Sequence, residues 1–295
     1  MKKMTKKKTI LLVGVVFLLL FLTGCQKNTD ASGAILPEKI IYIDTVWNSM
    51  RSDLFTFIIV YPLAQMINFF DQYVGVVPAI VLTTVLVNLL TFVFSVKSTV
   101  GAQKMQIIQP EVKKIQDKYA GKDDKNSQMQ MGQEMQRLYQ KHNISIGGSL
   151  IVPFLQLPIM LAMYNAVQRA NAVVSGNLMG APLSKTPMFG LQNNAYILPV
   201  IFVLMLLAQF ASTKVTSYLA EKRNEKNGVK KKEYAQDKKA GGDTAKTMQY
   251  GMIIMVAVLG INWPSAMSLY WLVSSLVSIA KTFFIQWRYI DNAKD

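Results

Sequence analysis

One cysteine and one histidine, Cys25 and His142, are all that 295 residues hold of either type. A single thiol excludes an internal disulfide and a Cys-based metal site, and a single imidazole excludes a His-rich one. Charge is scarce as well: 17% of residues are Asp, Glu, Lys or Arg, where average usage is about 25%. Acidic residues number 17 against 32 basic ones, which leaves a formal net charge of +15. A nucleic-acid binder with that charge would be more polar than a chain that is 51% hydrophobic. A membrane-embedded chain reconciles the two figures, because it excludes charge from its spans and gathers Lys and Arg in loops on the inner side.

The charge-free stretches are long. Gln72–Val96, Asn143–Gln168 and Thr186–Thr213 carry no ionisable charge, and each is long enough for one helix of about 20 residues across the hydrocarbon. Thr247–Ala280 runs for 34 residues and continues as Thr282–Trp287 after Lys281. Asn262-Trp263-Pro264-Ser265 interrupts it, and a proline in that place ends a helix. The reading is two antiparallel spans, 247–262 and 265–287, joined by a tight turn, with Lys281 free to snorkel to the interface. That makes five spans in an all-α, polytopic membrane protein. Leu54–Phe70 is also apolar and charge-free between Asp53 and Asp71. A sixth crossing there would invert every later loop, so the expectation is an amphipathic helix lying in the outer interface.

Loop charge sets the orientation. Residues 97–142 carry nine Lys/Arg and 214–246 carry ten, whereas 172–195 carry only Lys185. The two basic loops and the tail 288–295 are therefore expected in the cytoplasm and the amino end outside. The amino end agrees. Lys2, Lys3, Lys6, Lys7 and Lys8 precede an apolar run, and Leu22-Thr23-Gly24-Cys25 follows it. This is the form of a secretory signal, and its last four residues resemble the lipobox of a bacterial lipoprotein. Residues 1–24 are then a cleaved signal peptide, Cys25 carries the lipid, and 25–71 form an extracellular segment containing the interfacial helix.

In the first basic loop, Met105, Ile108, Val112, Ile115 and Tyr119 recur at spacings of three and four. After the turn at Gly121, Met131, Met135, Leu138 and His142 do the same. Such facing seams predict an antiparallel helical hairpin over 97–145, with His142 as a packing residue. The span pair 146–220 follows, then the basic loop 221–246, which has Lys230-Lys231-Lys232 and Gly241-Gly242 but no apolar period. It reads as flexible and solvated. The last spans fill 247–287.

The central portions of the spans hold no Asp, Glu, His or Arg. Ion-coupled transporters and proton relays need such groups there, and intramembrane proteolysis needs a Ser–His pair, an Asp pair or a metal. The expectation is a protein that is not an enzyme. Neutral polarity is arranged by face instead. Thr84, Asn88, Thr91 and Ser95 share one face of the first span, and Ser268, Trp271, Ser275 and Ser278 one face of the last. The third span adds Gln209, Ser212 and Thr213, and the second Gln156, Asn165 and Gln168. Each can serve as ordinary interhelical glue; as a set they can line a hydrated groove that eases a polar peptide segment into the bilayer.

Several blocks together resemble the YidC family of membrane protein insertases. They are the stretch Gln109-Pro110-Glu111-Val112-Lys113-Lys114-Ile115-Gln116-Asp117-Lys118-Tyr119, then Gly147-Gly148-Ser149-Leu150 with Pro153-Phe154-Leu155-Gln156-Leu157-Pro158-Ile159, and Pro264-Ser265-Ala266-Met267-Ser268-Leu269-Tyr270-Trp271. The likeness covers roughly 45–290, and the lipobox with a short tail is similar to the Gram-positive members. It implies a plasma-membrane insertase or foldase whose clients are nascent membrane proteins, with the ribosome, the Sec translocon and anionic lipid as further partners. No cofactor, nucleotide, metal or sequence-specific nucleic acid is implied. By resemblance Trp271 matches a groove-lining tryptophan and Gln209 a groove polar residue; with Thr84, Asn88, Thr91 and Ser275 from the polar faces they make the candidate groove. The family carries an arginine in the first of these spans where this chain reads Leu86-Val87-Asn88-Leu89-Leu90, so Asn88 keeps hydrogen bonding and loses the charge. That departure motivates one alternative, a specialised assembly chaperone or complex subunit without general insertase activity. A small-solute channel or transporter is the other, disfavoured by the charge-free spans.

Overall fold

The computed structural model describes residues 28–29, 35–51, 53–122, 124–144, 146–226 and 244–291. Cys25 and the signal segment, and most of the second basic loop, lie outside the described residues, as do the side chains of Ser95 and of the block Gly147–Leu155.

The chain is predominantly helical. After a π-helical turn at Thr56–Val60 come α1 (Tyr61–Val74), α2 (Val76–Ile107), α3 (Gln109–Tyr119), α4 (Lys125–Lys141), α5 (Ile146–Arg169) and the short α6 (Asn171–Val174). Then α7 (Pro187–Gln192), α8 (Ile197–Lys226), α9 (Thr244–Gly260) and α10 (Ser265–Ile285) follow, with a closing π-helical turn at Gln286–Asp291. The all-α expectation needs one amendment. Asn177–Leu178 (β1) pairs antiparallel with Ala181–Pro182 (β2), across a turn in which Met179 and Gly180 both take positive φ, 52° and 83°. Two consecutive positive-φ residues match the twist of a two-residue hairpin.

Three helices among the described residues are long and apolar enough to cross a membrane, over Val76–Val93, Ile197–Arg223 and Ser265–Asp291. Their exposure is inverted relative to a soluble protein. On α2, Leu82, Leu86, Leu89, Leu90 and Val93 are exposed while Thr83 and Thr84 are fully buried. On α8, Val203, Leu204, Leu207 and Phe210 are exposed and Ser212 is buried; on α10, Leu276 and Phe283 are exposed and Ser268 and Ser275 buried. Apolar-out, polar-in is the arrangement that lipid selects.

Helix ends follow local chemistry. Gly75 alone joins α1 to α2, at φ +80°, a conformation only glycine adopts without a steric cost. Charge does not end α2 at Lys97: the helix runs on through 97–107 and breaks at Ile108. Pro110 then sits in the first turn of α3, where a missing N–H costs nothing. Asp124 caps α4 by accepting from the Ser127 N–H at 2.8 Å. At the other punctuation point α9 stops at Gly260 and α10 starts at Ser265, directly after Pro264.

The chain packs as two units. One comprises residues up to Leu86 with Gln156–Met205 and Ala257–Val273. In it the amino-terminal segment is tied to the end of α5: the Ile41 N–H donates to Arg169 O at 2.7 Å, and Asn171 N–H to Ile41 O at 3.0 Å. The Arg169 guanidinium, buried, donates to Lys39 O at 2.8 Å and to Thr56 Oγ1 at 2.7 Å. Asn68 donates to Ile41 O and accepts from the Ala172 N–H. The stretch Phe57–Tyr61 is held by Trp47, which stacks on Tyr61 at 5.9 Å and donates its indole N–H to Phe57 O at 2.7 Å.

The other unit comprises Val87–Leu155, Leu206–Val256 and Ser274–Asp295. Within it α3 and α4 share an apolar cluster of Ile108, Val112, Leu138, Tyr139 and Ile144, with Met105, Ile115 and Met135 packed against it. Lys118 donates to Glu134, and Tyr119 to the same carboxylate oxygen at 3.0 Å. These bonds hold the Glu134 carboxyl below the usual carboxylate range, the Lys118 bond most. His142 lies beside this cluster, its Nε2 3.3 Å from Glu111 Oε1.

Candidate functional site

In the second unit the polar groups of α2, α8 and α10 make two bonded groups. The first is centred on Asn88. Its Nδ2 donates to Ser274 Oγ at 3.1 Å, and its Oδ1 accepts from Lys281 Nζ at 2.8 Å. Ser274 and Lys281 are seven residues apart on α10, so they share a face two turns apart. Helical side chains lean toward the amino end of their helix, which carries the Lys281 ammonium back along α10 onto Asn88. The expectation that Lys281 snorkels outward did not allow for this lean. The same ammonium lies 5.7 Å from the centroid of the Phe92 ring, and Phe284 packs edge-on against Phe92 at 6.0 Å. Among the described residues no carboxylate lies within ion-pair distance of Lys281.

The second group joins α8 to α10: Ser275 Oγ donates to Gln209 Oε1 at 2.7 Å. Thr91 turns its hydroxyl to its own helix, donating to Val87 O at 2.8 Å. Farther along, Gln103 is buried and donates to Gln286 Oε1 at 3.1 Å.

Thr84 and Trp271 belong to the first unit. Thr84 is fully buried and donates to Ile80 O at 2.7 Å. Trp271 is buried and stacks on Trp263 at 5.2 Å and 19°, and Trp263 meets Tyr164 at 4.5 Å. Gly260 leaves room for this stack: a Cβ there would come 3.2 Å from Trp271 Cζ3 and 3.0 Å from Phe202 Cε2. Two hydroxyls of this unit, Thr83 Oγ1 and Ser268 Oγ, are buried with no hydrogen-bond partner among the described residues.

Of the six residues expected to line a groove, Asn88, Thr91, Gln209 and Ser275 fall in one unit, three of them in interhelical bonds. Ser278, expected on the same face, is exposed. Ser274 and Lys281 were not expected. The face drawn through Ser268, Trp271, Ser275 and Ser278 omits Ser274, and Lys281 read as a boundary charge. The available signal was the seven-residue spacing of 274 and 281 together with the backward lean of a helical lysine.

The arrangement offers hydrogen-bond donors and acceptors, and the Lys281 ammonium, on helices whose outward faces carry exposed apolar side chains.

A family model described as 60Kd inner membrane protein matches residues 68–292. The chain is 28% identical over 292 residues to membrane protein insertase YidC 2 of Bacillus anthracis, which covers 98% of this chain and 97% of that one. It is 28% identical over 283 residues to membrane protein insertase MisCA of Bacillus subtilis, covering 95% and 92%. To membrane protein insertase YidC of Oceanobacillus iheyensis it is 28% identical over 284 residues, covering 95% and 96%. With the model spanning most of its length and these relatives matched almost throughout, the chain belongs to the YidC/60Kd inner membrane protein family.

Proposed function

We propose that this bacterial membrane protein is an insertase, which receives nascent membrane proteins on the cytoplasmic side and moves them into the plasma membrane along a hydrophilic groove open to lipid. The observation that carries the reading is the pairing of family membership with the inverted exposure of α2, α8 and α10, apolar outward and polar inward. An unsatisfied backbone group in hydrocarbon costs several kcal/mol. A row of neutral donors and acceptors such as Asn88, Ser274, Gln209 and Ser275 lowers that cost for a polar segment in transit. The drive is the transfer of apolar helix from water to lipid. No bond is made or broken, so the protein is not an enzyme.

In this reading α5 and α9 complete five spans with α2, α8 and α10. Residues α3 and α4 form a cytoplasmic antiparallel hairpin, the first client contact. Cys25 anchors a mature amino end outside the cell, and the basic loops meet the ribosome, the Sec translocon or anionic lipid. Asn88 stands where the family's groove arginine would. The test is growth of a bacterium depleted of its own YidC-type insertases. Rescue by this chain is expected; no rescue, with the chain abundant in the membrane, overturns general insertase function.

A further inference from the structure

Lys281 is the one Asp, Glu, Lys or Arg residue between Ser265 and Trp287. It lies within Ser265–Asp291, one of the three stretches long and apolar enough to span. An ammonium at such a position is costly, and where it occurs it faces the bundle interior and does work. Its surroundings are an amide oxygen at 2.8 Å and an aromatic ring centroid at 5.7 Å. Both can solvate a cation, but neither neutralises it. The ammonium rests on Asn88, which is itself bonded to Ser274, and no carboxylate of the described residues lies within ion-pair distance of it.

We propose that Lys281 is the charge-recognition residue of this site, taking the carboxylates of Asp and Glu in a translocating segment, with Asn88 as the positioning residue that holds the ammonium in place. The proposal rests on the insertase reading and deepens it: the charge absent from position 88 is supplied from α10. The Asn88 amide joins the two groups: its Nδ2 donates to Ser274 Oγ while its Oδ1 accepts from the ammonium, so the bond to Ser274 fixes the side turned to Lys281. An arriving carboxylate exchanges with Phe92 and water for a charge-assisted bond, without displacing Asn88, since an ammonium has three donors.

The experiment uses the full chain in zwitterionic-lipid proteoliposomes and two single-span substrates differing only in their translocated tail, one bearing Asp and one the matching Asn. The readout is the ratio of acidic-tailed to neutral-tailed insertion. Loss of one bond to a charged group predicts a fall of about tenfold in that ratio for Lys281→Gln. Lys281→Arg is expected to hold the ratio, and Asn88→Arg combined with Lys281→Gln to restore it. An unchanged ratio in Lys281→Gln overturns the proposal, as does an equal fall for both tails, which marks a lysine that anchors to lipid phosphate. If Lys281→Gln inserts neither substrate, the double variant decides: a restored ratio supports the proposal and no restoration overturns it. Insertion of neither substrate by the unmodified chain fails the insertase reading itself.

Discussion

Truncating Arg169 to alanine is expected to release the amino-terminal segment from the end of α5. The guanidinium is buried and makes two well-formed bonds, to Lys39 O at 2.8 Å and Thr56 Oγ1 at 2.7 Å, with a longer contact to Met50 Sδ at 3.6 Å. Bonds from charged donors contribute about 1.5–3 kcal/mol each, so two give an upper range near 6 kcal/mol. Lys39 O borders exposed segment and regains water when the side chain is cut, and Thr56 keeps its bond to Asp53. The lower end, about 3 kcal/mol, is therefore the expected cost, roughly a hundredfold in the opening equilibrium. Hydrogen exchange reads it without ambiguity. The Ile41 amide donates to the backbone carbonyl of Arg169, which the substitution leaves intact, and the Ala170 amide donates to Ala166 O within the same helix end. Protection at Ile41 is expected to fall about a hundredfold while Ala170 stays protected. Arg169→Lys should fall between, because one ammonium cannot span both acceptors. Unchanged protection at Ile41 in Arg169→Ala would refute the claim that the guanidinium clamps the segment.

Gly260→Val should overpack the contact with Phe202 and Trp271, where a Cβ already comes to 3.0 and 3.2 Å; a loss of about 1–3 kcal/mol should appear as a lower thermal midpoint of tryptophan fluorescence in detergent. Glu134 is held below the ordinary carboxylate pKa by its bond from Lys118. Its contribution to the α3–α4 pairing is therefore full above the unfolded value and disappears as pH falls through the lowered one. An NMR titration should give a Glu134 midpoint below that of the same residue in Lys118→Met, and equal midpoints would count against the bond.

What could be read beforehand follows from period and punctuation. Spacings of three and four placed Ile108, Val112, Met135 and Leu138 on seams that meet in one cluster, because apolar period is a property of the local chain. Pro264 announced the break before α10 for the same reason. Charge counting was a poorer guide to helix ends. It marks where hydrocarbon stops, whereas α2 continues past Lys97 to Ile107 because nothing in 97–107 breaks a helix. It also says nothing of Arg169, which directly follows the charge-free stretch ending at Gln168 and is buried among acceptors supplied by residues 113 and 130 positions away. The site was legible as a set of polar faces, which named Asn88, Gln209 and Ser275. Lys281 was not, since its direction depends on the lean of α10 and on the amide that α2 brings to it.

In the proposed function, client segments travel along the polar face of α2 and α8. Site-specific photocrosslinking to a ribosome-stalled nascent membrane protein tests it most directly, with the probe placed at Thr91 or Gln209 and, on the outward faces of the same helices, at Val93 or Leu207. Strong client adducts are expected from Thr91 and Gln209 and weak ones from Val93 and Leu207. Equal labelling from all four positions, or adducts only from Val93 and Leu207, would contradict that path.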